Sequence, residues 1–237
     1  MKVTIFNGSP RGRNSNSHRI VKPFLEGAEA GGADVSEIFL IENKIEFCRG
    51  CFSCWGNSPG VCIIKDDMEM LIDLFLGSDF AGFATPVYGM FMTAVLKNFQ
   101  ERLLPLATPH IHRKEDGSFY HKGRIAKFPR QFFIVNSGFP GTGNFELFKA
   151  YAAYARPVLE IYRNCGEALN VQEGEDVPYA GKLREFQAAL REAGRELVEQ
   201  GEVSSETLSR VHLELMSDEE YMAGANQYWD EKGEKSE

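Results

Sequence analysis

Short apolar runs alternate along this chain with longer segments in which apolar residues recur at helical spacing. The apolar runs cover residues 3–6, 35–41, 80–84, 131–136 and 168–171, and the helical segments cover about 17–31, 66–75, 92–104, 145–162 and 182–199. Runs that are apolar throughout are typical of parallel strands buried on both faces. The order therefore predicts an α/β fold, a three-layer doubly wound sheet of five parallel strands with helices on both faces.

The same pattern divides the chain into two parts. Residues 1–203 form one predicted domain, which carries a cysteine-rich loop at 43–65 and an insertion at 106–128. Residues 204–237 form a predicted C-terminal helical extension with a charged tail, and the sequence assigns it no role. Its apolar residues between 221 and 229 have helical spacing, which predicts docking either on the chain's own domain or on a second subunit.

The insertion at 106–128 has its own local pattern. Its residues 114–119 are typical of a hairpin turn. We expect the insertion to cover the ligand at the edge of the sheet or to pack across a dimer.

The turn after the first strand, residues 7–17, carries the strongest chemical signal. It is rich in Gly, Ser and Asn and leads directly into the first helix. The unpaired amides and the dipole at a helix N-terminus favour an anion, and Arg11 and Arg13 add positive charge. The turn therefore predicts a phosphate site. The alternative is an ordinary strand-to-helix turn in which Ser17 caps the helix.

The spacing within this turn does not fit two common phosphate motifs. A nucleoside-triphosphate loop requires G-x-x-x-x-G-K-[ST], and no Gly-Lys pair follows Gly8 at that offset. A dinucleotide fingerprint requires G-x-G-x-x-G, and Gly8 and Gly12 do not have that spacing. The turn suits a single terminal phosphate enclosed by hydroxyls and amides, such as the phosphate of FMN.

Two further loops follow predicted strands and share one character. Residues 84–90 and 136–144 each combine Gly, Pro, an aromatic residue and small polar residues. Because the carboxyl ends of parallel strands meet at one edge of a sheet, we expect both loops beside the phosphate turn. Glycine lets a backbone approach a flat ring closely, and Tyr88 is placed to contact an isoalloxazine and tune it. The three loops together favour a flavin site.

These motifs together resemble the NADPH-dependent FMN reductase branch of the flavodoxin-like superfamily, over about residues 1–172. The resemblance implies the strand order 2-1-3-4-5 and non-covalently bound FMN. It implies a phosphate site formed by Ser9, Arg11, Ser15, Asn16 and Ser17. It implies a ring site formed by Pro86, Val87, Tyr88, Gly89 and Met90, with Ser137 and Gly138 on the other flank.

Four of the five cysteines fall in the cysteine-rich loop with the spacing C-x2-C-x2-C-x7-C, as Cys48, Cys51, Cys54 and Cys62. Three closely spaced thiolates and a fourth returned by a short loop can ligate one [4Fe-4S] cluster. The pattern resembles the iron-sulfur flavoproteins, in which such a cluster lies beside FMN. A zinc site would use the same four thiolates. A redox dithiol of Cys48 and Cys51, or reduced structural thiols without metal, are the remaining alternatives.

Composition narrows the class of protein. The chain has 237 residues, enough for one α/β domain with a sizeable core, and its net charge of −8 argues against nucleic-acid partners. No apolar run is long enough to span a bilayer, and the first residues form a strand rather than a signal peptide. We therefore expect a cytoplasmic protein with no membrane partner. The fifth cysteine, Cys165, is expected to be a small buried hydrophobe.

The favoured function is an FMN-dependent oxidoreductase that passes electrons from NAD(P)H to an unidentified acceptor. One alternative is an iron-sulfur flavoprotein that carries single electrons and is fed by ferredoxin, and another is a flavin-binding regulatory protein. The expected partners are a small-molecule electron acceptor or ferredoxin, and a second copy of the chain in a homodimer or homotetramer. Because the flavin carries the chemistry, we name no side chain as catalytic acid or base.

Overall fold

The computed structural model describes residues 1–172 and 175–233. Its central sheet is parallel and contains β1 (Lys2–Asn7), β2 (Asp34–Phe39), β3 (Phe80–Pro86), β6 (Arg130–Asn136) and β7 (Leu159–Arg163). Between β3 and β6, β4 (Ala107–Arg113) and β5 (Phe119–Gly123) form a separate antiparallel hairpin. The sheet order is β2-β1-β3-β6-β7, which is the predicted order 2-1-3-4-5 once the hairpin strands are left out of the count.

Helices cover both faces of this sheet, as predicted. One face carries α1 (Asn16–Ala30) and α5 (Ala180–Gln200), and the other carries α2 (Met68–Leu76), α3 (Ala94–Glu101) and α4 (Glu146–Ala155). Two buried apolar clusters, one on each face, form the core. Short 3-10 turns lie at Gly12–Asn14, Leu40–Glu42, Leu104–Leu106, Gly143–Phe145 and Gly166–Leu169.

The C-terminal extension docks on its own domain. It contains α6 (Ser205–Val211) and α7 (Asp218–Glu231), and Val211, Leu215 and Tyr221 are buried in the same cluster as α1 and α5. This is one of the two arrangements that its apolar pattern predicted. The predicted charged tail ends in residues 234–237, which lie outside the described residues.

The fifth strand lies elsewhere than the sequence predicted. The predicted helix 145–162 stops at Ala155, because Arg156 adopts the left-handed conformation and Pro157 can neither donate to a helix nor fit inside one. The chain then forms β7, an edge strand that buries only alternate side chains. Burial of alternate side chains has the period of a strand and not of a helix, and the prediction of a continuing helix overlooked this short pattern. The predicted strand 168–171 was wrong, since Gly166–Leu169 is a 3-10 turn.

Other boundaries moved by a few residues. β2 ends at Phe39 rather than at 41, and α3 begins at Ala94, capped by the Thr93 hydroxyl, rather than at 92. The hairpin turn predicted at 114–119 is confirmed, since the Lys114 amide donates to the Ser118 carbonyl at 2.8 Å. Within the described part of the chain, none of the helices combines the length and the apolar character that crossing a bilayer requires.

Candidate functional site

Three loops meet at the carboxyl edge of the sheet, and we name them the phosphate loop (8–17), the ring loop (86–91) and the flank loop (137–144). Hydrogen bonds tie the phosphate loop and the ring loop to the ends of β3 and β6. The Gly8 amide of the phosphate loop donates to Ala84 of β3 at 2.8 Å, and the Val87 amide of the ring loop donates to Asn136 of β6 at 2.7 Å. The Ser17 hydroxyl donates to the Asn136 Oδ1 at 2.6 Å. The predicted convergence of the three loops is therefore present.

Two of the predicted phosphate-site hydroxyls already make hydrogen bonds within the protein. The Ser15 hydroxyl caps α1 by accepting from the His18 amide at 3.1 Å, and it donates to the Gly12 carbonyl at 2.6 Å. The N-cap is thus Ser15 and not Ser17. Since Ser17 already donates to Asn136, both hydroxyls fix the shape of the loop, and each keeps only its oxygen lone pairs for a ligand.

Asn16 and Ser9 are buried side chains of the phosphate loop with free hydrogen-bonding capacity. Asn16 is only 3% exposed, and its Oδ1 is buried without a hydrogen bond. Its Nδ2 likewise has no partner anywhere in residues 1–172 and 175–233. The Ser9 oxygen accepts only a long bond of 3.4 Å from the Arg11 amide. Because buried polar groups are normally paired, the Asn16 amide indicates a polar ligand, toward which Nδ2 can donate and Oδ1 can accept.

The arginines of the phosphate loop point to carboxylates in this structure. Arg11 pairs with Glu167 at 3.2 Å, and both side chains are about half exposed. Arg13 pairs with Glu42 at 3.4 Å and lies over the Phe39 ring. An exposed pair of this kind contributes little to stability, so Arg11 can exchange Glu167 for a phosphate at low free-energy cost.

The ring loop is a tight two-residue turn. Tyr88 and Phe91 exchange backbone hydrogen bonds of 2.9 and 3.2 Å, and Gly89 and Met90 between them both have positive φ. This is the geometry of a type I′ turn, which glycine adopts freely and Met90 only with strain. Tyr88 and Met90 are 51% and 50% exposed, which leaves an apolar surface at the tip.

The first two residues of the predicted ring site have a different place. Pro86 is the buried last residue of β3, and Val87 packs against the apolar cluster beneath. They hold the turn on the sheet, while Tyr88, Gly89 and Met90 form its exposed tip.

The flank loop has open space beside it. A Cβ added to Gly138 would meet no atom within 4 Å. Ser137 is buried, and its hydroxyl accepts from the Phe139 amide at 3.1 Å. A Cβ on Gly166, in the turn after β7, would lie 3.0 Å from the Ser137 carbonyl and 3.5 Å from the Asn16 Nδ2. Gly166 therefore lets a fourth segment approach the site.

Sequence reasoning missed three residues that assemble these loops. Asn136 links the phosphate loop to β6, Gly166 admits the turn after β7, and the Thr93 hydroxyl donates to the Gly8 carbonyl at 2.6 Å. A polar residue at the end of the most apolar strand was a usable signal for Asn136. Nothing local marks the other two, because their partners are distant in sequence.

The four loop cysteines line a single pocket, and a second site thus lies next to α3. Cys54 is buried and Cys51 is exposed. Burial and the neighbouring Cys62, Cys48 and Cys51 raise the pKa of Cys54. Hydrogen bonds from Ser53 lower the pKa of the Cys51 thiol. Within residues 1–172 and 175–233, no three of the His, Cys, Asp and Glu side chains are arranged as metal ligands.

A buried ion pair anchors the cysteine loop to the end of α3. Arg102 donates to both Asp66 oxygens at 2.6 and 3.0 Å, and the two side chains are 1% and 0% exposed. Arg102 also lies 3.6 Å from the Cys62 sulfur. Burial opposes ionisation of Asp66, but hydrogen bonds from Arg102 and from the Glu46 and Met68 amides outweigh it, so the Asp66 pKa lies below its ordinary value.

The insertion packs on this loop, which neither of its expected positions anticipated. The Trp55 indole donates to the Leu104 carbonyl at 3.2 Å and lies 4.8 Å from the His121 ring of β5. Arg124 donates to the Cys54 carbonyl at 3.3 Å. Cys165 is buried, as expected, in the core cluster on the side of the sheet that carries α1 and α5, and burial raises its pKa to about 11.

Comparison with known proteins identifies relatives of this chain. Residues 1–122 match the model of the NADPH-dependent FMN reductase family. An iron-sulfur flavoprotein from Archaeoglobus fulgidus is 34% identical over 128 residues, which are 54% of this chain and 57% of that protein. An iron-sulfur flavoprotein from Methanocaldococcus jannaschii is 32% identical over 156 residues, 61% of this chain and 77% of that protein. The alignments thus span between about half and three quarters of these relatives.

Solved structures share the fold at lower identity. An FMN-dependent NADH-azoreductase from Bacillus anthracis, solved in complex with FMN, is 17% identical with a TM-score of 0.58 and covers 83% of this chain and 99% of its own. An NAD(P)H:quinone oxidoreductase from Methanothermobacter marburgensis is 18% identical with a TM-score of 0.58 and covers 83% and 96%. Since the family model matches more than half of the sequence, the chain belongs to the NADPH-dependent FMN reductase family.

Proposed function

We propose that this oxidoreductase binds FMN at the three-loop edge and passes electrons from NAD(P)H to an acceptor. The observation that carries the proposal is the Asn16 side chain, which is buried and unpaired at a helix N-terminus where the three loops meet. A terminal phosphate at that point would accept a hydrogen bond from Nδ2, the donor end of the Asn16 amide, and face the α1 dipole.

The other loops supply what a flavin ring needs. The exposed tip of Tyr88, Gly89 and Met90 offers an apolar surface, and the space beside Gly138 leaves room on the opposite flank. When bound, FMN would supply hydride acceptance and release of electrons, and the chain's own residues bind and orient it. We assign Ser9, Asn16 and, after exchange of Glu167, Arg11 to the phosphate. Ser15 and Ser17 shape the loop.

The test is to purify the protein anaerobically, record its optical spectrum and measure iron. Bound flavin that NADPH or NADH reduces in the absence of another electron donor supports the reductase. Flavin that binds tightly but is not reduced by either nicotinamide favours a flavin-binding regulatory protein. A protein that binds no flavin, even after FMN is added, contradicts the proposal.

A second candidate function is one-electron transfer through a [4Fe-4S] cluster at the cysteine pocket. The supporting observation is that Cys48, Cys51, Cys54 and Cys62 line one pocket. The donor set fits in chemistry, because four cysteine thiolates are the ligands that a [4Fe-4S] cluster takes. Burial and, after it, the neighbouring thiolates raise the pKa of Cys54, and a bound cationic metal centre would stabilise its thiolate. The cluster would exchange single electrons with a partner.

The charge around this pocket indicates the class of that partner. Residues 107–127, which pack on the cysteine loop, contain five Lys or Arg against two Asp or Glu, an excess of three positive charges in a chain whose net charge is −8. Exposed apolar side chains, Ile111 and Phe119, lie on the same hairpin. A small acidic electron carrier such as ferredoxin fits this surface, and its reduction of the protein should slow steeply as ionic strength rises.

A further inference from the structure

The C-terminal helix α7 is hydrogen-bonded to the flank loop through its first turn. The Tyr221 hydroxyl donates to the Gly138 carbonyl at 2.7 Å, and Asp218 Oδ1 accepts from the Gly141 amide at 3.0 Å. Positions 218 and 221 are three apart and lie on the same side of a helix. The two contacts therefore hold two points of the loop at once, three residues apart.

The start of α7 is itself fixed. Ser217 and Glu220 form a capping box, in which the Ser217 hydroxyl accepts from the Glu220 amide at 3.1 Å and the Glu220 carboxylate accepts from the Ser217 amide at 2.8 Å. A capping box sets the first residue of a helix. Asp218 and Tyr221 are thus presented to the loop from a helix end with a defined position.

A buried arginine holds the chain that leads into α7. Arg163, at the end of β7, donates to the Val211 and Leu213 carbonyls at 2.6 and 3.0 Å and lies over the Phe186 ring. Burial lowers its pKa to about 10, which still leaves it charged at neutral pH. Val211 and Leu213 carry the chain from α6 toward α7, so the extension is tied to the same sheet edge as the flank loop.

These contacts leave the Gly138 amide of the flank loop free. Three consecutive carbonyls are engaged, since Ser137 O accepts from the Gly166 amide at 2.8 Å, Gly138 O accepts from Tyr221, and Phe139 O accepts from the Cys165 amide at 3.0 Å. The Gly138 amide has no acceptor anywhere in the part of the chain that the structure describes. With its carbonyls held, the loop presents this N–H beside the open space at Gly138.

We propose that Tyr221 and Asp218 are positioning residues that hold the flank loop in the conformation in which Gly138 contacts the flavin ring. The inference rests on the proposed FMN site and gives the extension a role in it. The family model matches residues 1–122, and both α7 and the flank loop lie after them. The contacts of Tyr221 and Asp218 therefore lie outside the matched part of the chain. Burial raises the pKa of Tyr221 to about 12, which keeps its hydroxyl a donor across the working pH range.

Tyr221→Phe is the main test, because it removes one hydroxyl and keeps the buried ring. The matched control is Tyr179→Phe, which deletes a hydroxyl beside the same core cluster; the Tyr179 hydroxyl makes no hydrogen bond to any described residue. Loss of one hydrogen bond corresponds to about a 2- to 10-fold rise in Kd. We expect that rise for FMN and riboflavin alike, together with a shift in the flavin midpoint potential, while Tyr179→Phe leaves both quantities unchanged.

Variants at Asp218 provide a second, independent test. Asp218→Ala removes the acceptor of the Gly141 amide, whereas Asp218→Asn keeps an oxygen that can accept it. Asn at 218 should therefore restore most of the affinity for riboflavin that Ala loses. Hydrogen exchange of the Gly141 amide in the flavin-free protein should quicken in the Ala variant and remain slow in the Asn variant.

The outcomes distinguish failure of the positioning role from failure of the proposed FMN site. If wild type binds FMN and Tyr221→Phe matches Tyr179→Phe in both affinities and in midpoint potential, the positioning role is wrong and the FMN site stands. A rise in the Kd of FMN alone would place the contact at the phosphate and also overturn the inference. If wild type binds no flavin, both proposals fall together.

Discussion

Gly27 of α1 and Gly194 of α5 bring two helix backbones into direct contact. A Cβ on Gly27 would lie 1.8 Å from the Arg191 carbonyl oxygen, and a Cβ on Gly194 would lie 1.9 Å from the Phe24 carbonyl oxygen. Both distances are shorter than any that real atoms adopt, and both involve backbone, which has little freedom to move aside.

Alanine at either glycine is therefore expected to destabilise the protein. Gly27→Ala or Gly194→Ala should lower the free energy of unfolding by about 1–3 kcal/mol, because the helices must separate. Gly224→Ala is the control, since Gly224 lies inside α7 and a Cβ there meets nothing within 4 Å. That variant should gain about 0.5–1 kcal/mol. Urea titration measures all three, and destabilisation of Gly224→Ala by the same amount would contradict the packing explanation.

Asn16→Ala should weaken FMN binding without weakening the fold. Its side-chain amide has no partner in the described chain, so its loss leaves little unpaired. A hydrogen bond to a charged group contributes about 1.5–3 kcal/mol, so the Kd of FMN should rise about 10- to 100-fold while that of riboflavin stays nearly constant. Asn14→Ala, in the same loop with an exposed side chain, serves as control. An equal loss for both ligands would place Asn16 away from the phosphate.

Met90→Gly is expected to have opposite effects on stability and on binding. Relief of the left-handed conformation should raise the free energy of unfolding by up to about 1 kcal/mol. Loss of the exposed apolar side chain should weaken riboflavin as well as FMN, because a ring contact does not involve the phosphate. Thermal unfolding and flavin titration report the two effects. Unchanged flavin affinity would remove Met90 from the ring site.

Breaking the Arg102–Asp66 pair should be more harmful than replacing it. Asp66→Asn leaves a buried guanidinium uncompensated and should lower stability by about 3–5 kcal/mol, while the double variant Asp66→Leu with Arg102→Met should lose less. Glu101→Gln, which breaks the exposed pair with Lys97, is the control and should change stability by less than about 0.5 kcal/mol. A double variant as unstable as Asp66→Asn would contradict this account.

The same pair makes a prediction about pH. Because the folded-state pKa of Asp66 is lowered, its contribution is fully present above the unfolded pKa of about 3.9 and is lost as pH falls through the folded pKa. Wild type should lose stability from Asp66 below about pH 4. In the double variant that part of the acid dependence should be absent, as urea midpoints measured between pH 2 and pH 6 would show, in buffers chosen at about one-unit steps.

Cys51→Ser tests the cysteine pocket. If it holds a cluster, the variant should lose iron from anaerobically purified protein and keep its FMN, because none of the proposed flavin contacts comes from the cysteine loop. The control is Cys165→Ala, which changes a cysteine buried in the apolar core beside α1 and α5, and this variant should retain iron. Reoxidation of reduced protein by an external acceptor, normalised to FMN content, should slow only in Cys51→Ser. Identical reoxidation and iron content in both variants would remove the electron-relay function.

The sequence was sufficient for the architecture because the strands of the sheet centre are unambiguous. β3 and β6 are apolar and buried along most of their length, so their pattern fits no amphipathic helix. β7 shows where such reasoning stops. It is a five-residue edge strand, and its alternating pattern is too short to outweigh the longer helical pattern before it, although Pro157 marks the end of that helix.

The candidate site was predicted at the level of loops but not at the level of individual contacts. Parallel topology alone brings the three loops to one edge, as the hydrogen bonds at Gly8 and Asn136 confirm. The sequence could not show which hydroxyls remain free, because the Ser17 hydroxyl donates to Asn136, a residue 119 positions away. The contacts of Tyr221 and Trp55 are likewise long-range, and no local pattern encodes them.

The contact between α1 and α5 has a consequence for synthesis in the cell. The apolar side of α1, which includes Ile20, Val21, Phe24 and Ala28, is covered in part by a helix that begins only at Ala180. At typical elongation rates that face waits on the order of 10–30 s after it is made. We therefore expect this face of α1 to stay partly exposed on the nascent chain until the last quarter of the sequence has been made.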